Sequence, residues 1–213
     1  MLFIFLAFIS IKVFSQNLPA KEKAVFDEIA YHRIKVGEYE KINKWVIPIY
    51  YKIVGDHSDY IIEEIDSTFS QLKKLTKLEI RKSNDDDEVN FVINLSSNGE
   101  MPPSLSTTLQ KYINNSGGYF YRANKNNEIY RVENLFILSK YSRKADARSA
   151  GKRGIIMGKG FFKRTKNVPN SLFYNTSNGK LKLDAFDSAI IAAFYDEKIK
   201  PGMTKDEVDA LFK

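Results

Sequence analysis

The sequence contains no cysteine among its 213 residues. This absence excludes disulfide bonds, so the packing of side chains alone must stabilise the fold. It also excludes zinc sites built on cysteine, thiol nucleophiles and the lipid-modified cysteine of bacterial lipoproteins. The chain is long enough for one domain with a substantial core, and its 15 Phe and 12 Tyr are available to fill that core.

Histidine is almost as scarce, and the whole chain has only His32 and His57. A zinc-peptidase helix needs two histidines four residues apart, with a glutamate between them as the general base. His32 falls on a predicted helix and His57 in a predicted turn, so they cannot form this pair. The pattern favours surface or hydrogen-bonded histidines over metal ligands.

Other catalytic motifs are missing or incomplete. The acidic run 85–88 lacks the alternating ligands and central glycine of a calcium loop, so it indicates a solvated turn. The glycines of 154–160 are spaced too closely for a phosphate loop, and the apolar triplet 155–157 is predicted to fill the core. The sequence contains no G-x-S-x-G motif, so it offers no support for a serine hydrolase. A pair of catalytic carboxylates of the glycosidase type is not excluded, although no spacing in the sequence identifies the two residues.

The first 15 residues resemble an export signal. Residues 2–14 are almost all apolar, and Val13 and Ser15 fit the −3 and −1 positions of a cleavage site after Ser15. The run is shorter than the roughly 20 residues that span a bilayer. The alternative is a buried N-terminal strand or helix. We predict a signal peptide over 1–15 and one secreted or periplasmic domain over 16–213, with no transmembrane segment in the mature chain.

Hydrophobic periodicity predicts helices and strands in a mixed order. This order predicts an α+β fold, a single domain with a mixed β-sheet flanked by helices. Thr204 and Glu207 are spaced as a capping box for a short last helix. The predicted helices cover 19–41, 58–77, 104–113 and 184–195, and the predicted strands cover 44–55, 78–82, 90–95, 119–122 and 129–139.

A basic, glycine-rich segment over 140–166 is the strongest functional feature. It holds ten Lys or Arg and one acid, so its net charge of +9 exceeds the +7 of the whole chain. Clustered cations attract anions, and glycines let backbone N–H groups approach them. The alternative is a solvated basic loop without a ligand. The candidate anion-binding residues are Arg143, Lys144, Arg148, Lys152, Arg153, Lys159, Lys163 and Arg164.

Three C-terminal segments carry a family resemblance. The stretch from Tyr195-Asp196 through Ile199 to Pro201-Gly202-Met203-Thr204 is the most specific, and 169–173 and 183–187 add weaker matches. Together they resemble a family of uncharacterised secreted bacterial domains that is distantly similar to zinc peptidases. The resemblance implies a zincin-like fold.

The resemblance also implies that the metal-binding helix of such a family falls at 150–159. Gly151, Lys152, Arg153 and Ile155 occupy the positions where carboxylates, His or Gln would stand. A cationic side chain has no free lone pair and repels Zn²⁺, so we expect this helix to be degenerate. No catalytic or metal-binding residue is carried over, and no cofactor is predicted.

These observations favour a non-catalytic binding domain that contacts an anionic partner through 140–166. The partner is an acidic polymer, a lipid headgroup or an acidic protein, and the oligomeric state stays open. The alternative is a secreted metal-dependent peptidase or other hydrolase with relocated catalytic groups. A scaffold in the cell envelope is a further alternative, which an exposed apolar patch would favour.

Overall fold

The computed structural model describes residues 18–32, 40–55, 58–103, 105–111, 113, 117–176 and 179–212. The predicted signal peptide and His57 lie outside the described residues. The helices are α1 (Ala20–Ile29), α2 (Asp59–Thr76), α3 (Thr107–Gln110), α4 (Lys144–Met157), α5 (Ala185–Phe194) and α6 (Lys205–Asp209). The strands are β1 (Tyr31–His32), β2 (Lys41–Ile42), β3 (Lys44–Trp45), β4 (Ile49–Gly55), β5 (Ile80–Lys82), β6 (Phe91–Ser96), β7 (Gly117–Ala123) and β8 (Glu128–Ile137).

The main sheet mixes parallel and antiparallel strands. β8, β6, β4 and β5 run parallel in that spatial order, and β3 pairs in parallel with the start of β8. β7 pairs antiparallel with β8 and forms an edge of the sheet in the described part of the chain. This architecture confirms the predicted α+β domain with a mixed sheet flanked by helices.

The core lies between the sheet and a layer that contains α2, α4 and α5. α2 buries the stripe that its sequence predicts, with Ile61, Ile65, Phe69 and Leu72 at 0–1% exposure. A helix with one apolar stripe packs that stripe against the sheet and leaves its polar face in solvent. The side chains of 155–157 are also buried in this core, so the predicted apolar plug is confirmed.

Three predicted elements differ from the structure. Among the described residues of 104–113, the predicted helix is reduced to the four residues of α3. The helix predicted over 19–41 ends at Ile29, because the Ile29 carbonyl accepts a 2.8 Å bond from the Phe162 N–H and the chain turns into β1. The strand predicted over 44–55 divides into β3 and β4. Pro48 lies in the interruption, and proline has no N–H to donate to a neighbouring strand.

Three glycines let α4 approach its neighbours closely. A Cβ added to Gly151 would lie 3.2 Å from Ile61 Cδ1, and one added to Gly158 would lie 3.0 Å from Phe91 Cζ. At Gly154 the added carbon would lie only 2.5 Å from Phe136 Cε1. The glycines that lower the helical propensity of this segment are therefore the residues that allow the helix to pack.

We expect Gly154→Ala to lower the free energy of unfolding by about 1–3 kcal/mol, because the buried Phe136 ring must move to admit the methyl group. Urea denaturation measures this loss. Gly151→Ala is the matched control, since its Cβ meets only the flexible end of Ile61 and alanine favours the helix. Equal stability of the two variants would contradict the close packing at Gly154.

Candidate anion-binding cleft

A cleft runs between the edge strand β7, helix α4 and the segment 161–175. It consists of two adjoining pockets that share Gly117, Gly118, Tyr119 and Arg164. The Arg153 pocket has a volume of about 230 Å³, and the His32 pocket has a volume of about 530 Å³. We call the two pockets together the cleft.

Arg153 is the buried cation of the cleft. Its residue is only 4% exposed, and its Nε and Nη2 atoms are buried without a hydrogen-bond partner among the described residues. Its helix neighbours Ala150 and Gly154 also line the pocket, and their small size leaves the space open. A buried guanidinium with unpaired N–H groups costs free energy, unless an anion binds to it.

The electrostatics of the Arg153 pocket favour an anion. Burial and, to a smaller extent, the nearby positive charge of Arg164 lower the pKa of Arg153 to about 10, so the guanidinium stays protonated at neutral pH. No acidic side chain is among the described residues that line the pocket, and Tyr119, Tyr141 and Asn175 supply polar groups instead. Burial raises the pKa of Tyr119 to about 12, which keeps its hydroxyl protonated.

Backbone hydrogen bonds hold Arg164 and Asn175 beside each other. The Thr165 N–H donates to the Phe173 carbonyl at 2.9 Å, and the Asn175 N–H donates to the Thr165 carbonyl at 3.0 Å. The buried Asp187 of α5 anchors the same segment, since its carboxylate accepts bonds from Ser171 Oγ at 2.7 Å and from the Leu172 N–H at 3.1 Å. This wall of the cleft therefore rests on the core.

The His32 pocket contains neutral polar groups and aromatic rings. His32 packs edge-to-face on Phe162 with ring centroids 4.1 Å apart, and its Nδ1 is buried without a hydrogen-bond partner among the described residues. Burial lowers the pKa of His32, so the imidazole is neutral at neutral pH. Asn43 Nδ2 donates to the Tyr121 hydroxyl at 3.2 Å, and both side chains line the pocket.

No motif in the sequence indicates that His32 lies in a cleft. The sequence predicts a surface or hydrogen-bonded histidine on a helix, whereas the structure half-buries His32 on β1 in the cleft, and its Nδ1 has no hydrogen-bond partner among the described residues. Its pairing with Lys41 in the β1–β2 ribbon and the Phe162–Ile29 hydrogen bond bring distant parts of the chain together there. Only the tertiary structure reveals this arrangement.

The structure divides the eight predicted basic residues among different environments. Arg153 and Arg164 line the cleft. Arg148 and Lys152 form ion pairs with the buried Glu64, and Lys159 is completely buried in the core. The segment therefore does not present all eight charges on one surface. The remaining three are on the outside: Arg143 pairs with Asp146, Lys163 pairs with Glu40, and Lys144 lies 5.2 Å from the centre of the Tyr60 ring.

The ion pairs with Glu64 join α2 to α4. Lys152 Nζ lies 2.8 Å from Glu64 Oε1, and Arg148 Nε lies 3.2 Å from Glu64 Oε2. Lys152 Nζ also donates a hydrogen bond to the Leu181 carbonyl. Lys152 and Glu64 are 2% and 8% exposed, so this is a buried ionic cluster with a structural role.

The C-terminal sequence signature also has a structural role. Lys44 Nζ donates to the Asp196 and Ile199 carbonyls at 2.8 and 2.6 Å, and the Tyr195 hydroxyl donates to the Lys159 carbonyl at 2.6 Å. Gly202 has a φ of 82° and donates its N–H to the Ile42 carbonyl at 2.8 Å. The signature fixes the C-terminal segment to the start of the sheet and lines neither pocket of the cleft.

The predicted capping box and acidic turn are both present. Thr204 and Glu207 exchange the two bonds of a capping box at the start of α6. In the acidic run, Asp86 pairs with Lys52 at 2.7 Å and Glu88 pairs with Arg81 at 2.6 Å. In the described part of the chain, no three His, Asp or Glu side chains gather in a group that could hold a metal ion.

A separate apolar groove lies against α5. Its volume is about 560 Å³, and it shares no lining residue with the cleft. The small α5 side chains Ala185, Ala189 and Ala192 form one wall, and Leu18 and Phe212 contribute to the other. None of the described helices combines the length and the apolar character that a membrane crossing requires.

The fold and the cleft define a mixed α+β domain with a buried cation beside an edge strand. The chain belongs to the family described as "Protein of unknown function (DUF2927)", whose family model matches residues 20–213. A search of curated proteins found no match. The family match confirms the expected domain of unknown function.

The solved structures similar to this chain include a zinc protease. High choriolytic enzyme 1, a hatching enzyme zinc-protease from the medaka fish Oryzias latipes, matches with a TM-score of 0.33 and 10% sequence identity. The match covers 57% of this chain and 50% of that enzyme, so this chain spans about half of the enzyme's length.

Proposed function

We propose that this protein is an exported, non-catalytic domain that binds an anionic group of its partner in the cleft. The observation that carries the proposal is the Arg153 guanidinium, which is 4% exposed, lines the cleft and has two N–H-bearing atoms without partners among the described residues. Export rests on the apolar residues 1–15 and the predicted cleavage after Ser15.

Two further observations support an anion at this position. Arg164 adds a second positive charge, and the pocket lining contains no carboxylate among the described residues. Guanidinium groups bind carboxylates and phosphates through paired hydrogen bonds, which are strong where water is partly excluded. Of the eight residues predicted from sequence, the proposal keeps Arg153 and Arg164 as the binding residues. Acidic polymers, lipid headgroups and acidic proteins all carry such groups.

Arg153→Met is expected to change stability and binding in opposite directions. Without an added anion, the variant is expected to gain about 2 kcal/mol in the free energy of unfolding, since methionine removes a buried cation whose pKa is held at about 10. Acetate and inorganic phosphate are expected to raise the melting temperature of the wild type, and this response is expected to vanish in the variant.

The measurement is a thermal melt at constant ionic strength, with chloride replaced stepwise by acetate or phosphate. Arg143→Met is the matched control, because it removes the same charge from an exposed position at the start of α4. A wild type that shows no anion-dependent shift beyond that of Arg153→Met would refute the proposed function. Metal analysis of the purified protein tests the hydrolase alternative, which predicts stoichiometric zinc.

A further inference from the structure

The His32 pocket holds polar groups that anion binding at Arg153 does not explain. Nδ1 of His32 is a buried ring nitrogen without a partner among the described residues, and Asn43 and Tyr121 present an amide and a hydroxyl. Arg164 is the only charged side chain among the described residues that line this pocket. The cleft therefore has a cationic end and a neutral, polar end.

The polar groups of the neutral end match hydroxyl groups in their chemistry. A neutral imidazole has one donor and one acceptor nitrogen, and the Asn43 amide and the Tyr121 hydroxyl also offer both functions. Burial raises the pKa of Tyr121, so its hydroxyl remains a donor at neutral pH. A ligand hydroxyl likewise donates one hydrogen bond and accepts others, whereas an anion only accepts.

Aromatic side chains supply flat apolar walls to the same pocket. Phe162 is fixed against His32 at a centroid distance of 4.1 Å, and Tyr119 and Tyr121 lie on β7. The pocket volume of about 530 Å³ is in the range of small-ligand sites, in which apolar walls combine with a few polar groups. A ring with one apolar face and several hydroxyls fits this combination.

We infer that the cleft binds a sugar ring that carries an acid group, with the acid at Arg153 and Arg164 and the ring in the His32 pocket. This inference rests on the proposed function, because it places the anion at the same two arginines. Arg164 lines both pockets and therefore stands where the acid joins the ring. The acid is a carboxylate or a phosphate, which the same guanidinium chemistry recognises.

A peptide along β7 is the competing ligand, since an edge strand has unpaired backbone groups. Such a peptide would bind mainly through the main chain. It would leave two features without a function in binding: Nδ1 of His32, which has no partner in the part of the chain that the structure describes, and the Asn43–Tyr121 pair. The side chains of the pocket therefore favour the sugar.

The test compares matched ligands by isothermal titration calorimetry. Glucuronate is compared with acetate, and glucose 6-phosphate is compared with inorganic phosphate, so that each pair differs by the sugar ring. We expect at least one sugar acid to bind about tenfold more tightly than its ring-free partner, because buried groups that are built for hydroxyls are paired only by the ring. Tyr121→Phe is expected to reduce this ratio toward one.

Tyr130→Phe is the control for Tyr121→Phe, because Tyr130 is 45% exposed on β8 and lies outside the cleft lining. If neither sugar acid binds the wild type more tightly than its ring-free partner, this inference is overturned, and the anion site remains. Tighter binding of acetyl-Ala-Ala-Asp than of either sugar acid would overturn it in favour of a peptide. No binding of any of the four anions would remove the proposed function itself.

Discussion

Lys159→Met is expected to raise the free energy of unfolding by about 2–4 kcal/mol at pH 7. Lys159 is fully buried, and its Nζ has no hydrogen-bond partner in the described part of the chain. The Nζ lies 5.2 Å from the centre of the Tyr195 ring. Methionine has a similar length and no charge to desolvate, so it removes this cost and keeps the packing.

The physical cause is the effect of burial on the Lys159 ammonium. Burial holds the pKa of Lys159 well below its usual value of 10.5, so the folded protein excludes a proton that the unfolded chain binds. At pH values below the pKa of Lys159 in the folded protein, the free energy of unfolding is therefore lowered by the full cost. This cost decreases as the pH rises toward 10.5, the usual pKa of lysine. Between these limits the cost falls by about 1.4 kcal/mol per pH unit.

Chemical denaturation between pH 7 and pH 10 measures both effects. The stability difference between Lys159→Met and the wild type is expected to shrink as the pH rises, because the unfolded lysine then loses its proton. Lys166→Met is the control, since Lys166 is exposed and its substitution is expected to have little effect. A destabilised Lys159→Met variant, or a difference that does not depend on pH, would contradict the burial of a neutral amine.

Glu64→Gln is expected to lower the free energy of unfolding by about 3–5 kcal/mol. The substitution keeps the shape of the side chain but removes the charge that Lys152 and Arg148 share. Lys152 is 2% exposed and cannot regain water without moving α4 away from α2. For a protein of this size the loss corresponds to a fall of about 10 °C in melting temperature.

A double-mutant cycle shows whether the lost stability comes from an unpaired buried charge. Adding Lys152→Met to Glu64→Gln is expected to restore more than half of the loss, because the uncompensated ammonium is then gone. Glu63→Gln is the control, since Glu63 precedes Glu64 on α2 but is exposed. A loss below 1 kcal/mol for Glu64→Gln, or a double variant no more stable than the single one, would show that the cluster is not desolvated.

Local sequence patterns predicted much of the fold. The apolar stripe of α2 predicted its buried face, and the Thr204–Glu207 spacing predicted a capping box that the structure contains. α4 had no comparable signal, because two glycines and several cations interrupt its apolar pattern. Its helix depends on close packing against Ile61, Phe136 and Phe91, which are distant in sequence.

The candidate site could be predicted only in part. Charge density directed attention to 140–166 and so to Arg153 and Arg164, which line the cleft. The same charge density also predicted Lys152 and Lys159 as anion-binding residues. Lys152 instead forms a buried ion pair, and Lys159 is buried in the core. A count of charges cannot distinguish these cases, because burial depends on contacts with other segments of the chain.

The sequence alone determined the chemistry that is excluded and the class of fold. Without cysteine and without a spaced histidine pair, neither a disulfide framework nor a His-based peptidase helix can form, and local periodicity set the α+β class. Only the tertiary structure decided which cation faces a cavity. Arg153 and Lys152 are adjacent on α4, yet helix geometry turns one toward β7 and the other toward Glu64 on α2. The partner that each side chain meets across the core therefore decides whether its charge is available to a ligand.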